Sequence, residues 1–339
     1  MTSAKKTAHF WLLLCLLGLA SLFWSACSDA TTMPTSTPSA GASPTTASQP
    51  SVSLQVTGLV KRPGVMQLAD LQAFPKTTVT TNAQTAQGSL GSHMYGGVLL
   101  YDLVQKAQII TDVTRKNDLL RKVIIVTGTD GYSVALSLGE IAPRFAGKKV
   151  LVAYEQDGKR LPQGDGFVRL IVPGDTFAGR YVAHIAKIEV KSAGPLLRLA
   201  PRVPSSAFYL VGLINTPGKY DLHTLQTLKT TEVSVQEQGQ SGKPINMTYS
   251  GVLLNDLLAS AGGAQLNTKA KNDFLRKGIV AIGSDGIAVS WWEGRLINVS
   301  RIPPFLLRPR CLVSRWQPPM VLHDWWSQEI RLWDVLSPT

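Results

Sequence analysis

The sequence predicts an α+β fold built twice, with mixed, mostly antiparallel sheets and short helices on one side. Three observations carry that expectation. Short apolar stretches alternate at period two and are punctuated by Gly, Pro, Asn and Asp. Helical spacing is brief, as where Leu99, Leu100, Leu103 and Val104 recur within Leu99 to Lys106. The stretch Tyr95-Gly96-Gly97-Val98-Leu99-Leu100-Tyr101-Asp102-Leu103 returns as Tyr249-Ser250-Gly251-Val252-Leu253-Leu254-Asn255-Asp256-Leu257. Lys116 to Lys122 returns as Lys271 to Lys277, and Thr129-Asp130-Gly131 as Ser284-Asp285-Gly286. The offset is 154 residues at Tyr95/Tyr249 and 155 at Lys116/Lys271, which signals a duplicated domain and not a short repeat unit.

The first domain opens with the alternating strand Leu54 to Val60, a Pro63-Gly64 turn and a short second strand ending at Leu68. Ala69 to Phe74 is one helical turn stopped by Pro75, and Thr77 to Thr81 is β-rich. A polar loop leads to Met94-Tyr95-Gly96-Gly97-Val98 and then to the amphipathic helix Leu99 to Lys106. Val123 to Thr127 reads as a buried strand, Asp130-Gly131 as a plain turn, Tyr132 to Leu136 as its partner and Leu138 to Phe145 as a short helix. Val150 to Tyr154 and Val168 to Val172 are buried strands, and His184 to Val190 closes the domain.

At 339 residues the chain has room for two domains of roughly 140 residues after an export segment. Hydrophobic content of 44% and charged content of 17% fit a globular chain. The net charge of +12 comes without a Lys/Arg run interleaved with aromatics, so no nucleic-acid partner is expected. Lys5-Lys6, the apolar run Phe10 to Phe23 and Ser25-Ala26-Cys27 read as a secretory signal over residues 1–27. Its end resembles a bacterial lipobox, which implies lipidation of Cys27 and a membrane-anchored, extracytoplasmic lipoprotein, although Trp24 stands where an aliphatic residue is usual. Ordinary cleavage and an uncleaved anchor are the alternatives. Residues 28–51, rich in Ser, Thr, Pro and Ala, form a disordered tether. Cys15, Cys27 and Cys311 are the only cysteines, so no disulfide framework is expected.

Several short motifs then occur in order. They are Val-x-Gly-x-Val from Val56, Tyr95-x-Gly97-Val98-x-Leu100-x-Asp102-Leu103, Asp130-Gly131-Tyr132, Glu155-x-Asp157-Gly158-x-x-Leu161, Arg169 to Asp175, and Gly179-Arg180-Tyr181-Val182. Together they resemble the molybdopterin-binding domain of the sulfite oxidase family, over residues 52–192 and again over 207–292, with a linker at 193–206. The resemblance implies that family's α+β fold and the site where catalytic members hold a molybdenum pterin. In those members a cysteine thiolate ligates the metal, from the segment between the first small helix and the Gly-Val-x-Leu motif. Here Thr77 to Gly88 contains no cysteine, nor does Thr231 to Gly239. A soft thiolate is the ligand such a metal selects, so redox catalysis is not expected. The absence of twin arginines agrees, since a loaded cofactor has to be exported in a folded protein. Arg169, Arg180, His184 and Lys187 lie where the family approaches the pterin and its phosphate, and guanidinium groups suit oxyanions. Against this, Arg169 can pair with Asp165 or Asp175, and His184 can face solvent. No Ser/His/Asp set, metal-spaced His/Cys set or Gly-rich phosphate loop occurs, so no catalytic residue and no metal ligand is assigned.

After Trp292 the second copy stops resembling the first, and six of the eight tryptophans lie from Trp291 onward. Read one base out of register, Met320 to Val335 can encode a segment that matches Gly166 to Arg180, and Glu293 to Leu307 one that resembles Gly139 to Leu151. Residues 293–339 therefore read as an out-of-frame tail, which leaves the second domain truncated and Ile279 to Val289 with an unpaired edge. A Trp-rich tail facing a membrane or partner is the alternative. The sequence reading is thus an exported binding module without a cofactor, for an anionic small ligand or an envelope protein. The alternative is a molybdopterin-dependent oxidoreductase using Arg169 and Arg180.

Overall fold

The computed structural model describes residues 52–193, 206–238, 243–284, 287–292, 306–307 and 327–334. The export signal with Cys27, the tether, most of the 193–206 linker, Asp285, Gly286 and Cys311 lie outside these residues. The first module contains β1 (Leu54–Gly58), β2 (Gly64–Met66), α1 (Leu68–Gln72), β3 (Thr77–Thr81), β4 (Gln84–Thr85), β5 (Gly88–Ser89), β6 (His93–Leu99) and α2 (Leu100–Lys106). It continues with β7 (Lys122–Gly128), β8 (Ser133–Ser137), α3 (Leu138–Ile141), β9 (Leu151–Gln156), β10 (Lys159–Arg160), β11 (Arg169–Ile171) and β12 (Ile185–Ser192). The second has β13 (Ala207–Gly212), β14 (Gly218–Asp221), α4 (Leu222–Gln226), β15 (Thr230–Gln238), β16 (Pro244–Leu253), α5 (Leu254–Ser260), β17 (Lys277–Gly283), β18 (Ala288–Trp292), β19 (Leu306–Leu307) and β20 (Ser327–Asp334).

One sheet of the first module runs β2-β1-β12-β7-β8, and a second runs β10-β9-β6-β3 with β11 on β9. Every pairing in them is antiparallel except β1 with β12. In β1 the apolar positions Leu54 and Val56 are fully buried while Gln55 is exposed, as period-two alternation requires. The helix expected over Leu138 to Phe145 ends at Ile141, two residues before Pro143, because the residue preceding a proline is driven out of the α region. Ile124, Val126, Val98, Leu100, Leu103 and Leu170 meet in one apolar core between the sheets.

A sheet of the second module repeats the order: β14-β13-β20-β17-β18. Ile330 pairs with Leu210 and Ala281 as Ile188 pairs with Val56 and Val126. Two glycines make the likeness specific. Gly58 has φ +88°, and a Cβ there would lie 2.1 Å from the Val190 carbonyl oxygen; Gly212 has φ +91° and would place one 2.0 Å from that of Leu332. Only a residue without a side chain permits either approach.

This geometry corrects the sequence reading at two points. The boundary at Trp292 is too early, because β19 and β20 belong to the second module's sheets. The edge expected to lie open along Ile279 to Val289 is covered: β17 sits between β18 and β20, and Ile279, Val280, Ala281 and Ile282 are buried. The signal for β20 is the alternation Ile330, Leu332 in a tail otherwise unlike the first copy.

The described residues belong to one compact unit, Ala47–Thr339. The modules meet where Val123, Ile125 and Ala135 pack on Val280, Ile282 and Ala288. That contact explains why β7 and β17 read as nearly continuous apolar runs: one face serves each module's own core and the other the neighbouring module.

Candidate functional site

Arg169 opens β11, which pairs antiparallel with β9 through Arg169 and Ala153. Just before it, the turn Gln163–Asp165 ends at Gly166, whose φ of +78° and lack of Cβ make room for His184; a Cβ would lie 2.6 Å from His184 Nδ1. The 182–185 segment is laced to this turn by backbone bonds. His184 N–H donates to the Asp165 carbonyl at 2.9 Å and Leu170 N–H to the Val182 carbonyl at 2.8 Å. The chain around His184 is thereby held against the segment that carries Arg169.

Arg169 Nη1 donates to Asp165 Oδ1 at 2.7 Å, the pairing the sequence suggested as the alternative to ligand binding. Its guanidinium carbon lies 5.9 Å from the centroid of the Tyr181 ring. One edge of the fork stays open: Arg169 Nε is buried and has no hydrogen-bond partner among the described residues, and the same holds for His184 Nδ1. His184 is not a solvent-facing strand residue. It precedes β12, half-buried, with φ +49°, a left-handed backbone held by the bonds to Asp165 and from Thr129 N–H.

Hydroxyl groups complete the surroundings. Thr81, the last residue of β3, shares a 2.8 Å hydrogen bond with the Tyr181 phenol, both buried. Tyr95 is 3% exposed and feels Arg169, Asp165 and Asp157; burial pushes its phenol up, and Arg169 only partly offsets this. Burial likewise raises Tyr181 against the opposing Thr81 hydrogen bond. Both phenols therefore stay protonated donors at neutral pH. At the rim His93 Nδ1 meets Asp157 Oδ2 at 2.7 Å, its Nε2 meets the Leu90 carbonyl at 2.9 Å, and its ring lies edge-on to Tyr95.

The other two expected residues do not join this group. Arg180 is 2% exposed and gives Nε and Nη2 to Asp175, each at 2.7 Å, and Nη1 and Nη2 to Glu140 at 3.3 Å. Lys148 Nζ reaches the same carboxylates, at 2.9 Å to Asp175 and 3.4 Å to Glu140. Burial alone would lower the Arg180 pKa, but Glu140 and Asp175 outweigh it and raise it. With its nitrogens already on carboxylates, Arg180 ties α3 to the Ala178–Arg180 turn and has no edge for an anion. Lys187 stands on β12 with its side chain 39% exposed and paired to Glu189 at 3.1 Å, opposite Gln55 and Thr127. It faces none of the site groups.

The sequence reading missed Tyr95, Tyr181 and Thr81. Tyr95 and Tyr181 sit inside the motifs quoted above, and a buried phenol needing a partner was the available signal. Thr81 looked like one more β-former in Thr77 to Thr81. What the site offers is a guanidinium edge over the Tyr181 ring, with the Tyr95 phenol in its field and the mutually bonded Thr81 and Tyr181 hydroxyls beside it, against an apolar core; His184 Nδ1 packs on Gly166. That guanidinium edge suits an oxyanion.

Comparisons with known proteins bear on the fold. Residues 40–195 match the family model of the oxidoreductase molybdopterin binding domain, which covers the first module. The mixed, mostly antiparallel sheets with few short helices are the architecture of that type of domain. No curated protein matches the chain. Among solved structures, the sulfane dehydrogenase SoxCD from Paracoccus pantotrophus is similar at 16% identity and a TM-score of 0.35, over 70% of this chain. The match spans 58% of that structure's chain.

Proposed function

We propose that the first module, a molybdopterin-binding-type domain, is a non-catalytic binding module whose ligand is a small oxyanion or an anionic group on a larger molecule. The observation that carries this reading is the buried Arg169 Nε without a partner, on a guanidinium that lies over the Tyr181 ring and acts on the Tyr95 phenol; His184 Nδ1 is a second such nitrogen, on the segment bonded to Asp165. A buried polar group left unbonded costs about 1–3 kcal/mol, which an anion that bonds to it recovers.

A molybdenum pterin fits these residues poorly. Thr77 to Gly88 offers hydroxyls and amides and no thiolate, and no cluster of three His, Cys, Asp or Glu occurs among the described residues. A hard hydroxyl is a weak ligand for a metal that selects sulfur. The oxidoreductase reading rests on the family match alone. In our reading the chain is exported and held at the membrane through lipidated Cys27, with the 28–51 tether giving reach, and an envelope protein is the second kind of partner. We also read residues 206–334 as a duplicate of the first module, supported by the shared strand order and the Gly58/Gly212 pair. An out-of-frame origin for 293–339 remains part of the proposal at the level of the gene, although β20 lies within that stretch; resequencing the locus tests it.

The experiment combines two measurements on full-length protein purified from its native host. Elemental analysis is expected to find no stoichiometric molybdenum, and titration with inorganic phosphate or sulfate is expected to show saturable binding that Arg169→Gln reduces at least ten-fold. One equivalent of molybdenum overturns the non-catalytic reading. Anion binding insensitive to Arg169→Gln overturns the site.

A further inference from the structure

The repeated stretch Lys271 to Lys277 does more than decorate the second module. Its turn Asp273–Arg276 is held from below: Asp273 accepts from Asn267 N–H at 2.8 Å, from Lys277 at 3.1 Å and from Arg276. Asn272 enters it at φ +51°, a left-handed conformation asparagine tolerates. So braced, the turn projects into the first module. Leu275 and Phe274 pack with the first module's core. Asn272 Nδ2 donates to the Tyr132 phenol at 2.9 Å, and Tyr132 donates in turn to the Gly179 carbonyl at 2.6 Å. A Cβ on Gly179 would lie 3.2 Å from Leu275 Cδ1 and 3.8 Å from Asn272 Nδ2, so the second module presses directly on that glycine.

Gly179 lies in the turn that delivers Tyr181 to Thr81 and under Arg169. The Arg180 network anchors this turn from one side. The Tyr132–Asn272 relay anchors it from the other.

The counterpart contact lacks this relay. Where the first module has Tyr132, the second has Ile287, buried and without a hydroxyl, so it cannot form this bond to Asn117. The first module's turn Asp118–Arg121 instead lies against β18 of the second, where Ser290 Oγ donates to the Leu120 carbonyl at 2.8 Å. The relay therefore runs one way, toward the module that holds the site.

We infer that the second module is a buttress for the first module's site: the 272–275 turn, acting through Tyr132, sets the Gly179–Tyr181 turn and so positions Tyr181 beneath Arg169. This deepens the binding reading above by assigning the second module a task at that site. Asn272, Leu275 and Tyr132 are positioning residues, since none touches the ligand-facing groups directly. By linkage, whatever ligand orders Tyr181 also tightens the contact between modules.

The test uses the full chain and amide hydrogen exchange, which needs no ligand. Tyr132→Phe keeps the ring and removes the relay, and Asn272→Gly keeps the left-handed backbone and removes the amide. Each is expected to speed exchange at the Tyr181 amide, bonded to the Ala178 carbonyl at 2.9 Å, by about five-fold, the effect of one lost hydrogen bond. Exchange in β1 and β7 is expected to stay as it is in the unsubstituted chain, which excludes general unfolding. Ser234→Ala, on the distant β15, is the control and is expected to change nothing. Unchanged exchange at Tyr181 in both variants overturns the buttress. Phosphate titration of the same variants then addresses the ligand: weaker binding than in the control supports the linkage. Binding absent from every form removes the ligand reading and leaves the exchange result to stand by itself.

Discussion

Arg180 shows how a residue type can be right and its task misjudged. Its position in a motif suggested an anion site, but two carboxylates from different elements had already claimed it, and those partners lie 5 and 40 residues away. Pairing across that distance has no local signature. Arg169 was more legible, since Asp165 is one helical turn away in sequence. We predict that Arg180→Leu, which leaves Asp175 and Glu140 buried without their cation, destabilises the protein by about 3–5 kcal/mol in urea unfolding. Tyr181→Phe removes one hydrogen bond from Thr81 and is expected to cost about 1 kcal/mol. Asp175, Asp118 and Asp273 add a pH dependence. Burial would raise each carboxyl, but hydrogen bonds and nearby cations win and hold all three below the usual range. Their stabilising contribution is therefore complete above the unfolded value of about 3.9 and is lost as pH falls through the lower folded values. Thermal melts are expected to be flat in this respect from neutrality to about pH 4 and to fall steeply below it. A decline centred near pH 6 would point to other groups.

Among the elements, the strands were the readable part, because alternation at Leu54 to Gly58 and the nearly continuous apolar run within Lys122 to Gly128 each leave their own pattern. The parallel pairing of β1 with β12 was not readable: it joins segments some 130 residues apart, and no local pattern records which strands become neighbours. β20 was missed for a related reason, since eight residues with two inward apolar positions carry little signal outside the sheet they complete. A chain ending before Ser327 is expected to lose the second module's cooperative unfolding transition, because β13 and β17 lose the strand between them. A chain so shortened that still unfolds as cooperatively as the full chain would mean that β20 is dispensable. Gly212→Ala tests the same strand more gently, and its backbone clash with Leu332 is expected to destabilise by more than the roughly 1 kcal/mol of an ordinary strand substitution.

For the molecule as a whole, the repeat in the sequence suggested a second module cut short after Trp292 and gave no sign of how the modules would meet. The contact uses outward faces of strands that also line the two cores, so its residues look like ordinary core positions. That double use has a consequence for how the chain comes to be made. Synthesis delivers residues 52–193 first, and until Val280, Ile282 and Ala288 follow, Val123, Ile125 and Ala135 form an apolar stripe facing water. A first module made alone, residues 52–193, is therefore expected to aggregate more readily than the full chain, which light scattering on the two purified forms checks.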